Sequence, residues 1–456
     1  MKPQIKFALV VCGAGLISLL GARAATVQVK VGAGGLKFTP ANVTIQAGDT
    51  VQWVWRRNDH STTSGTPGVP DGIWDSGVQN TGFVFNHTFP AAGTFPYYCS
   101  VHGACCTMSG SVTVTAQAAG AIFINGNSSV NEVWMYSRGS DGQLALVGAF
   151  PTQGTGARYK VSSQGSIALG SNHAFLYVVN ALSNDVTAFQ VQPTGLTFVG
   201  KVPSGGTFPN SFAIFGNLLY VLNSKGTAAN ITAFTIQSNG SLVALANSTR
   251  LLSSARPESA QVGFTLDGTT LVVTEKDTNS IDTFLVGADG LATGPTSQPS
   301  AGGGPFGFAF DGLGHLVISE TANSSASSYT VSGGLLHVVS GRVKDFGKAA
   351  CWAAATSGTS LPQFAYVSNT VSDTVSGYSI ASNGSLSLVN PDGRSAILPT
   401  GAFPLELTVS SDNKYLYVLE ANLPGVAGFQ IQADGTLIQI QDLRGIPVSS
   451  SGMTGY

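Results

Sequence analysis

Charge is what this 456-residue sequence has least of. Only 10% of its residues are Asp, Glu, Lys or Arg, against roughly 25% in an ordinary soluble protein. The 21 Lys and Arg do not exceed the 23 Asp and Glu, which excludes nucleic acid as the main partner, because a phosphate backbone is held by clustered cations. None of the five cysteines stands in a Cys-x-x-Cys-His run, so c-type haem is excluded. After the first residues no apolar stretch reaches the ~20 residues of a membrane span. Apolar residues still make up 43%, enough for a core, so the chain is not a disordered tail. What it has in plenty is turn formers, 57 Gly and 20 Pro. Few charges, many turns and abundant Val, Thr, Ser and Asn describe an all-β protein of many short strands. The length allows about three domains, or two with one large.

Residues 1–24 read as an export signal. Lys2 and Lys6 are its positive start, Phe7 to Leu20 its apolar run and Ala22-Arg23-Ala24 its small-x-small cleavage site. Cys12 lies inside the run with few residues before it, so cleavage is favoured over lipid attachment. Without those residues the chain holds 18 basic and 23 acidic groups. The expectation is an exported protein, periplasmic or secreted, with no membrane span in the mature chain.

Residues 25–115 predict a sandwich with strands at Thr26–Val31, Val43–Gln46, Thr50–Trp55, Phe83–Phe89, Thr94–Tyr98 and Gly110–Val114. Alternation is clear in Val51-Gln52-Trp53-Val54-Trp55. Residues 116–120 predict a small-residue linker. From Ala121 a unit repeats seven times: an apolar strand ending in Asn or Glu, a polar turn, a second strand and a Gly hairpin. The marker falls at Asn125, Asn180, Asn223, Glu275, Glu320, Asn369 and Glu420, at intervals of 55, 43, 52, 45, 49 and 51 residues. That is the period of propeller blades, so 121–456 predicts a seven-bladed β-propeller. Each copy except the first follows a further strand candidate, such as Gln261–Leu266 or Pro305–Phe310. The first lacks one, and Ile446–Tyr456 is the unassigned segment able to supply it and close the ring.

The chemistry gathers before residue 110. Tyr97-Tyr98-Cys99-Ser100-Val101-His102-Gly103-Ala104-Cys105-Cys106-Thr107-Met108 carries a thiol, an imidazole three residues on and a thioether six further on, and His60 follows an earlier strand. Two imidazoles, one thiolate and a weak Met contact are the ligand set of a blue-copper electron-transfer site. A dinuclear copper centre would need two ligating cysteines around a short loop with a later histidine, whereas this loop's histidine precedes Cys105. His87 reads as a structural or surface residue. The pairing of Cys105, Cys106 and Cys351 stays open.

These residues resemble a plastocyanin- or pseudoazurin-like cupredoxin. The likeness lies in Phe38-Thr39-Pro40, Ala47-Gly48-Asp49-Thr50-Val51-Gln52-Trp53, His60-Ser61-Thr62-Thr63, Trp74-Asp75-Ser76-Gly77 and Gly93-Thr94-Phe95-Pro96-Tyr97-Tyr98-Cys99-Ser100-Val101-His102. It implies one type 1 copper held by His60, Cys99 and His102, with Met108 as axial ligand. The His102–Met108 loop is one residue longer than is usual in plastocyanins, and Cys105-Cys106 lies within it. The repeat region resembles lactonase-type seven-bladed propellers through LYVVN, FTLDGTT and PFGFAFDG. A hydrolase needs ionisable groups converging near the channel mouth, and the innermost-strand candidates are few: Arg256, Glu258 and Glu406, each read first as a structural charge. His173 and His315 precede second strands and His337 lies in an outermost strand, which excludes a multi-histidine copper cluster on the propeller. Two functions follow. One is a one-electron carrier with an unidentified redox partner, its propeller serving as a docking platform or as a scaffold for a small-molecule or protein ligand. The alternative is an exported lactone or carbohydrate hydrolase with an accessory copper domain.

Overall fold

The structure is a computed structural model that describes residues 25–456. The expected export signal, 1–24, lies outside the described residues. Contacts divide the chain into two compact units that meet between Gln117 and Ala118. Among the described residues no helix is long and apolar enough to cross a membrane.

In the first unit a four-stranded sheet orders Phe38–Thr39, Thr26–Val31, Thr50–Trp55 and Val84–Thr88, and a five-stranded sheet orders Asn42–Gln46, Ser109–Thr115, Gly93–Tyr98, Thr63–Thr66 and Val69–Asp75. The pleat sends Val51, Trp53 and Trp55 inward with Val29, Val31, Tyr97 and Val112. Trp53 lies 5.6 Å from Trp74 and edge-on to Tyr97 at 5.5 Å. The hairpin Thr63–Thr66/Val69–Asp75 is absent from the sequence-based strand set because only Trp74 of the second strand is buried, so it has no alternation to read. Its turn needs a glycine: Gly65 has φ +108°, and a Cβ there would meet the Val69 carbonyl.

The second unit is a ring of seven sheets. The innermost strands of blades 1 to 7 are Met453–Gly455, Ile167–Leu169, Thr207–Phe215, Ser259–Phe264, Pro305–Phe310, Ala350–Ala355 and Pro404–Val409. Blade 1 is closed by the far end of the chain. Ala118–Asn125 pairs antiparallel with Met453–Gly455, with Ile122, Phe123 and Ile124 opposite Gly455, Thr454 and Met453. The expected linker is therefore shorter than 116–120: Ala118, Ala119 and Gly120 belong to the strand. Gly120 is required there, since a Cβ would strike the Tyr456 carbonyl. Buried Arg138 clamps the joint, donating to the carbonyls of Tyr456 and Ala119 and lying 3.5 Å from Asp412 of blade 7.

The repeated residues explain how blades are stitched together. Tyr177, Tyr220, Tyr366 and Tyr417 each donate a hydroxyl to the hairpin-glycine carbonyl of the next blade, at Gly240, Gly290, Gly435 and Gly142. The marker residues are all buried and hydrogen-bonded. Asn180 donates to Asp185 and Thr187, and Asn369 to Thr374 and Ser376. Glu275 accepts from Ser253 and Thr278, Glu320 accepts from Ser300 and the Gly303 N–H, and Glu420 pairs with Arg444. They are structural groups that satisfy the turns and loops around them.

The middle of the ring is filled by the segment leading into blade 2. The Gln164 N–H donates to Ala260 of blade 4, and its side chain bonds Phe308 of blade 5 and both backbone groups of Ala353 in blade 6. Trp352 Nε1 donates to the Ser163 carbonyl, and the Gly165 N–H to Glu406 of blade 7 at 2.9 Å. One loop thus plugs the axis by bonding four other blades.

Burial pushes the Glu406 carboxyl up to about 8, whereas in the unfolded chain it keeps an ordinary value near 4.5. Between those two values the folded state holds a proton that the unfolded state releases, so propeller stability falls as pH rises through that window. The expected loss is on the order of 4 kcal/mol. Melts of the wild type between pH 5 and 8 should show it, and Glu406→Gln, which keeps the acceptor for Gly165, should flatten the slope. An unchanged slope in that variant would refute the assignment.

Candidate metal centre

His60 and Cys99 are 39 residues apart and reach each other because their strands lie in facing sheets. Thr50–Trp55 leads to His60, whose carbonyl accepts from Trp55 Nε1 at 2.8 Å and whose backbone pairs with Gln79. Gly93–Tyr98 delivers Cys99, which is fully buried. His102 follows at the head of a one-turn helix, Gly103–Cys106, and is only partly buried. The Cys99 N–H donates to the Met108 carbonyl at 3.0 Å, and the Gly103 N–H to the Cys99 carbonyl at 2.7 Å. These bonds fold the loop back so that its two ends touch.

The result is a compact N₂S group. Cys99 Sγ lies 3.5 Å from His102 Nδ1 and 3.8 Å from His60 Nδ1, and the imidazole rings are 4.8 Å apart. All three donor atoms fall within 4.8 Å of one another. Ligands bonded to one ion at about 2.0–2.3 Å are separated by such distances. Burial, with help from nearby His102 and Arg57, lowers the His60 pKa and so favours the neutral ring, the ligating form. A buried thiol and two imidazoles with no carboxylate among them suit a soft or borderline ion such as copper. Met108 is buried in the same apolar cluster as Cys99.

Around these groups runs a polar network that the sequence pattern did not reveal. The Ser61 N–H points at Cys99 Sγ from 3.4 Å. Ser61 Oγ donates to Ser100 Oγ, accepts from the Ser100 N–H and lies 3.0 Å from Thr63 Oγ1, which donates to Asp75. This ties the His60 loop to the Cys99 loop and fixes the ligands from behind. Gly32 is a second residue the pattern concealed. It has φ +75°, and a Cβ there would sit 2.8 Å from the His60 ring. Gly32→Ala should therefore displace His60 and weaken metal retention about tenfold or more, measured by competition with a chelator.

Cys105 and Cys106 are bonded to each other, which resolves the pairing the sequence left open. Cys351 is a free thiol of the propeller, pushed up to about 11 by burial. His87 lies outside the cluster, its ring tilted against Trp74 with the centroids 5.0 Å apart. In the propeller, Glu406 holds the plug, while Arg256 and Glu258 are exposed loop charges. His315 bonds Asp311, His173 stacks on Tyr456, and His337 is exposed on an outer strand.

Residues 25–115 match the family of copper binding proteins, plastocyanin/azurin. Plastocyanin of Scenedesmus fuscus is 34% identical over 97 residues, which are 19% of this chain and 98% of that protein. The chain belongs to the plastocyanin/azurin family. The plastocyanin of Prochlorothrix hollandica is 31% identical over 121 residues, covering 25% of this chain and 90% of its own. For the chloroplastic plastocyanin of Tetradesmus obliquus the figures are 33% over 96 residues, 20% and 66%. Beyond the plastocyanin-like domain, residues 126–253 match the seven-bladed lactonase β-propeller family. The solved periplasmic gluconolactonase of Pseudomonas aeruginosa superposes with a TM-score of 0.55 at 16% identity, covering 74% of this chain and 98% of that one. A Lactobacillus plantarum protein gives 0.57 at 18%, covering 74% and 99%. At such identities the likeness is one of fold. Copper binding is thus a property of the family to which the first domain belongs.

Proposed function

We propose that this chain is an exported one-electron carrier, periplasmic or secreted, with a single type 1 copper held by His60, Cys99 and His102 and with Met108 as its weak axial ligand. The observation that carries the reading is the N₂S group. When bound, copper supplies a one-electron couple. The chain's own residues do the rest. Cys99 and His60 keep water away by their burial, the Ser61 N–H shares the charge of the sulfur, and the network through Thr63 and Asp75 holds the donors in place in either charge state. His102 is the one donor of the three that reaches the surface, beside exposed Val101, and it is the route by which an electron leaves for a redox partner. The propeller serves as the platform that docks that partner or a ligand.

Titration of the metal-free protein with Cu(II) should give one equivalent of tightly held copper and a strong red absorption that one electron bleaches. Stoichiometric copper without colour would sink the type 1 reading. Met108→Leu should keep copper and colour while raising the reduction potential, because a donor to the oxidised ion is lost. An unchanged potential would remove Met108 from the ligand set.

The match of residues 126–253 to the lactonase propellers favours a second reading, an exported lactone or carbohydrate hydrolase with an accessory copper domain. Against it, the axis is occupied by Gln164, and Glu406 is committed to the plug. The expected result is no hydrolysis of sugar lactones by the full chain above the buffer rate. Saturable turnover would reverse the order of the two readings.

A further inference from the structure

The loop that carries His102 and Met108 is crossed by a covalent bond for which the electron carrier has no use. Cys105 and Cys106, adjacent in the chain, are joined by a disulfide. Both residues are exposed, whereas Gly103 and Met108 on either side of them are buried. No acidic residue stands between Cys99 and Met108 to repel an approaching thiolate. A disulfide that solvent reaches at both sulfurs is of the labile kind, unlike one sealed in a core.

The bridge also spans a peptide bond that braces a metal donor. The N–H of that peptide belongs to Cys106, and it donates to the His102 carbonyl at 3.1 Å. The same carbonyl accepts from the Met108 N–H at 3.3 Å. Cys105 Sγ lies 3.9 Å from the Val101 carbonyl, in the peptide group that leads into His102. The turn Gly103–Cys106 is four residues long, has no side-chain cap and ends at Thr107, a β-branched residue held at φ +56°. A single helical turn does not keep its shape in water by its hydrogen bonds alone, and a left-handed threonine works against it. The closed ring of Cys105 and Cys106 is what fixes the peptide behind His102.

We propose that Cys105–Cys106 is a thiol–disulfide exchange site for a dithiol, and that opening it loosens His102 and with it the hold on copper. The exchange itself needs no metal, while its effect on copper rests on the ligand set proposed above. One thiolate of the dithiol attacks a sulfur of the bridge. The S–S bond breaks, a mixed disulfide forms, and the other cysteine leaves as a thiolate that takes up a proton. The second thiol of the partner loses its proton and attacks the partner's own sulfur in the mixed disulfide, which releases the remaining cysteine to be protonated in turn. Two electrons and two protons have passed to the chain, and the partner leaves as an internal disulfide. A monothiol is a poor substitute. The freed cysteine next door attacks the mixed disulfide and expels it, because a thiol held in place acts at high effective concentration.

The test begins with the metal-free full chain, treated with dithiothreitol without denaturant and then with iodoacetamide. Fragment masses should show Cys105 and Cys106 alkylated and Cys99 spared, with glutathione at equal thiol concentration opening at least about tenfold less of the bridge. Two open forms then report on copper without any reductant present: this alkylated chain, and the double variant Cys105→Ser, Cys106→Ser. Both should keep the red absorption, since every proposed donor remains, yet hold Cu(II) about tenfold more weakly in competition with a chelator. A bridge left intact by dithiothreitol, or opened equally by glutathione, would overturn the exchange site. Wild-type copper affinity in either open form would overturn the coupling to His102. A wild type that exchanges thiols but has no red absorption would instead sink the copper reading and leave the exchange site standing.

Discussion

Cys99→Ser should leave a protein that folds, binds copper weakly and shows no red absorption at any copper concentration. The thiol is fully buried and stands 3.5 and 3.8 Å from the two imidazole nitrogens, and the other cysteines of the first domain are bonded to each other. Among the described residues of this domain no second thiolate is therefore at hand to supply a charge-transfer band. Serine is close in shape, so the fold should survive. The Ser61 N–H, which faces the sulfur at 3.4 Å, still finds an oxygen acceptor. The loss should be complete in colour and at least about a hundredfold in copper affinity, since soft thiolate is the ligand that selects copper. Visible spectra and chelator competition on wild type and variant measure both. A variant that kept the band would show that another sulfur ligates and that the N₂S group is not the centre.

The second large effect concerns the ring. Truncation after Leu443 removes Met453–Gly455, the innermost strand of blade 1, and with it three ladder positions on Ala118–Asn125. It also removes buried Ile446 and Met453 and the carbonyl that holds Arg138. Tyr456, which stacks 4.5 Å from His173 and lies against Phe123, is lost as well. What remains is an open ring with an unpaired strand edge and an exposed blade face, a combination that invites aggregation. The propeller's melting temperature should fall by roughly 10 °C or more, or the protein should aggregate outright. The transition of the plastocyanin-like domain should barely move, because that domain is a compact unit with its own core. A truncated chain that melted like the full one would mean that the closing strand adds nothing to the ring.

These two expectations differ in how readily the sequence supplies them. The ligand loop is local: Cys99, His102 and Met108 lie within ten positions, and their residue types are rare enough in this chain to stand out. The closing strand was legible by counting, since seven repeat units preceded by six inner strands leave one place for the last segment to fill. Boundaries were less exact. The innermost strand of blade 4 runs Ser259–Phe264, starting and ending two residues ahead of Gln261–Leu266, and Ala118–Gly120 joins a strand although its composition is that of a linker. In both places the backbone pairing of a neighbouring strand decides, and small residues carry no pattern of their own.

By itself, then, the sequence determined the all-β class, the division into a sandwich and a seven-bladed ring, the way the ring closes and the residue types gathered for a soft metal. Those features rest on periodicity, on repeats and on chemistry within one loop, all of which are written along the chain. Only the tertiary structure decided the rest. It set Ser61 against the sulfur of Cys99, placed Gly32 where a methyl group would strike His60, and ran Gln164 across the ring to Ala353. Each of these is a single polar or small residue whose partner lies tens to hundreds of positions away. No local period marks such a residue, because its role is fixed by where the sheets bring the backbone and not by its neighbours in sequence.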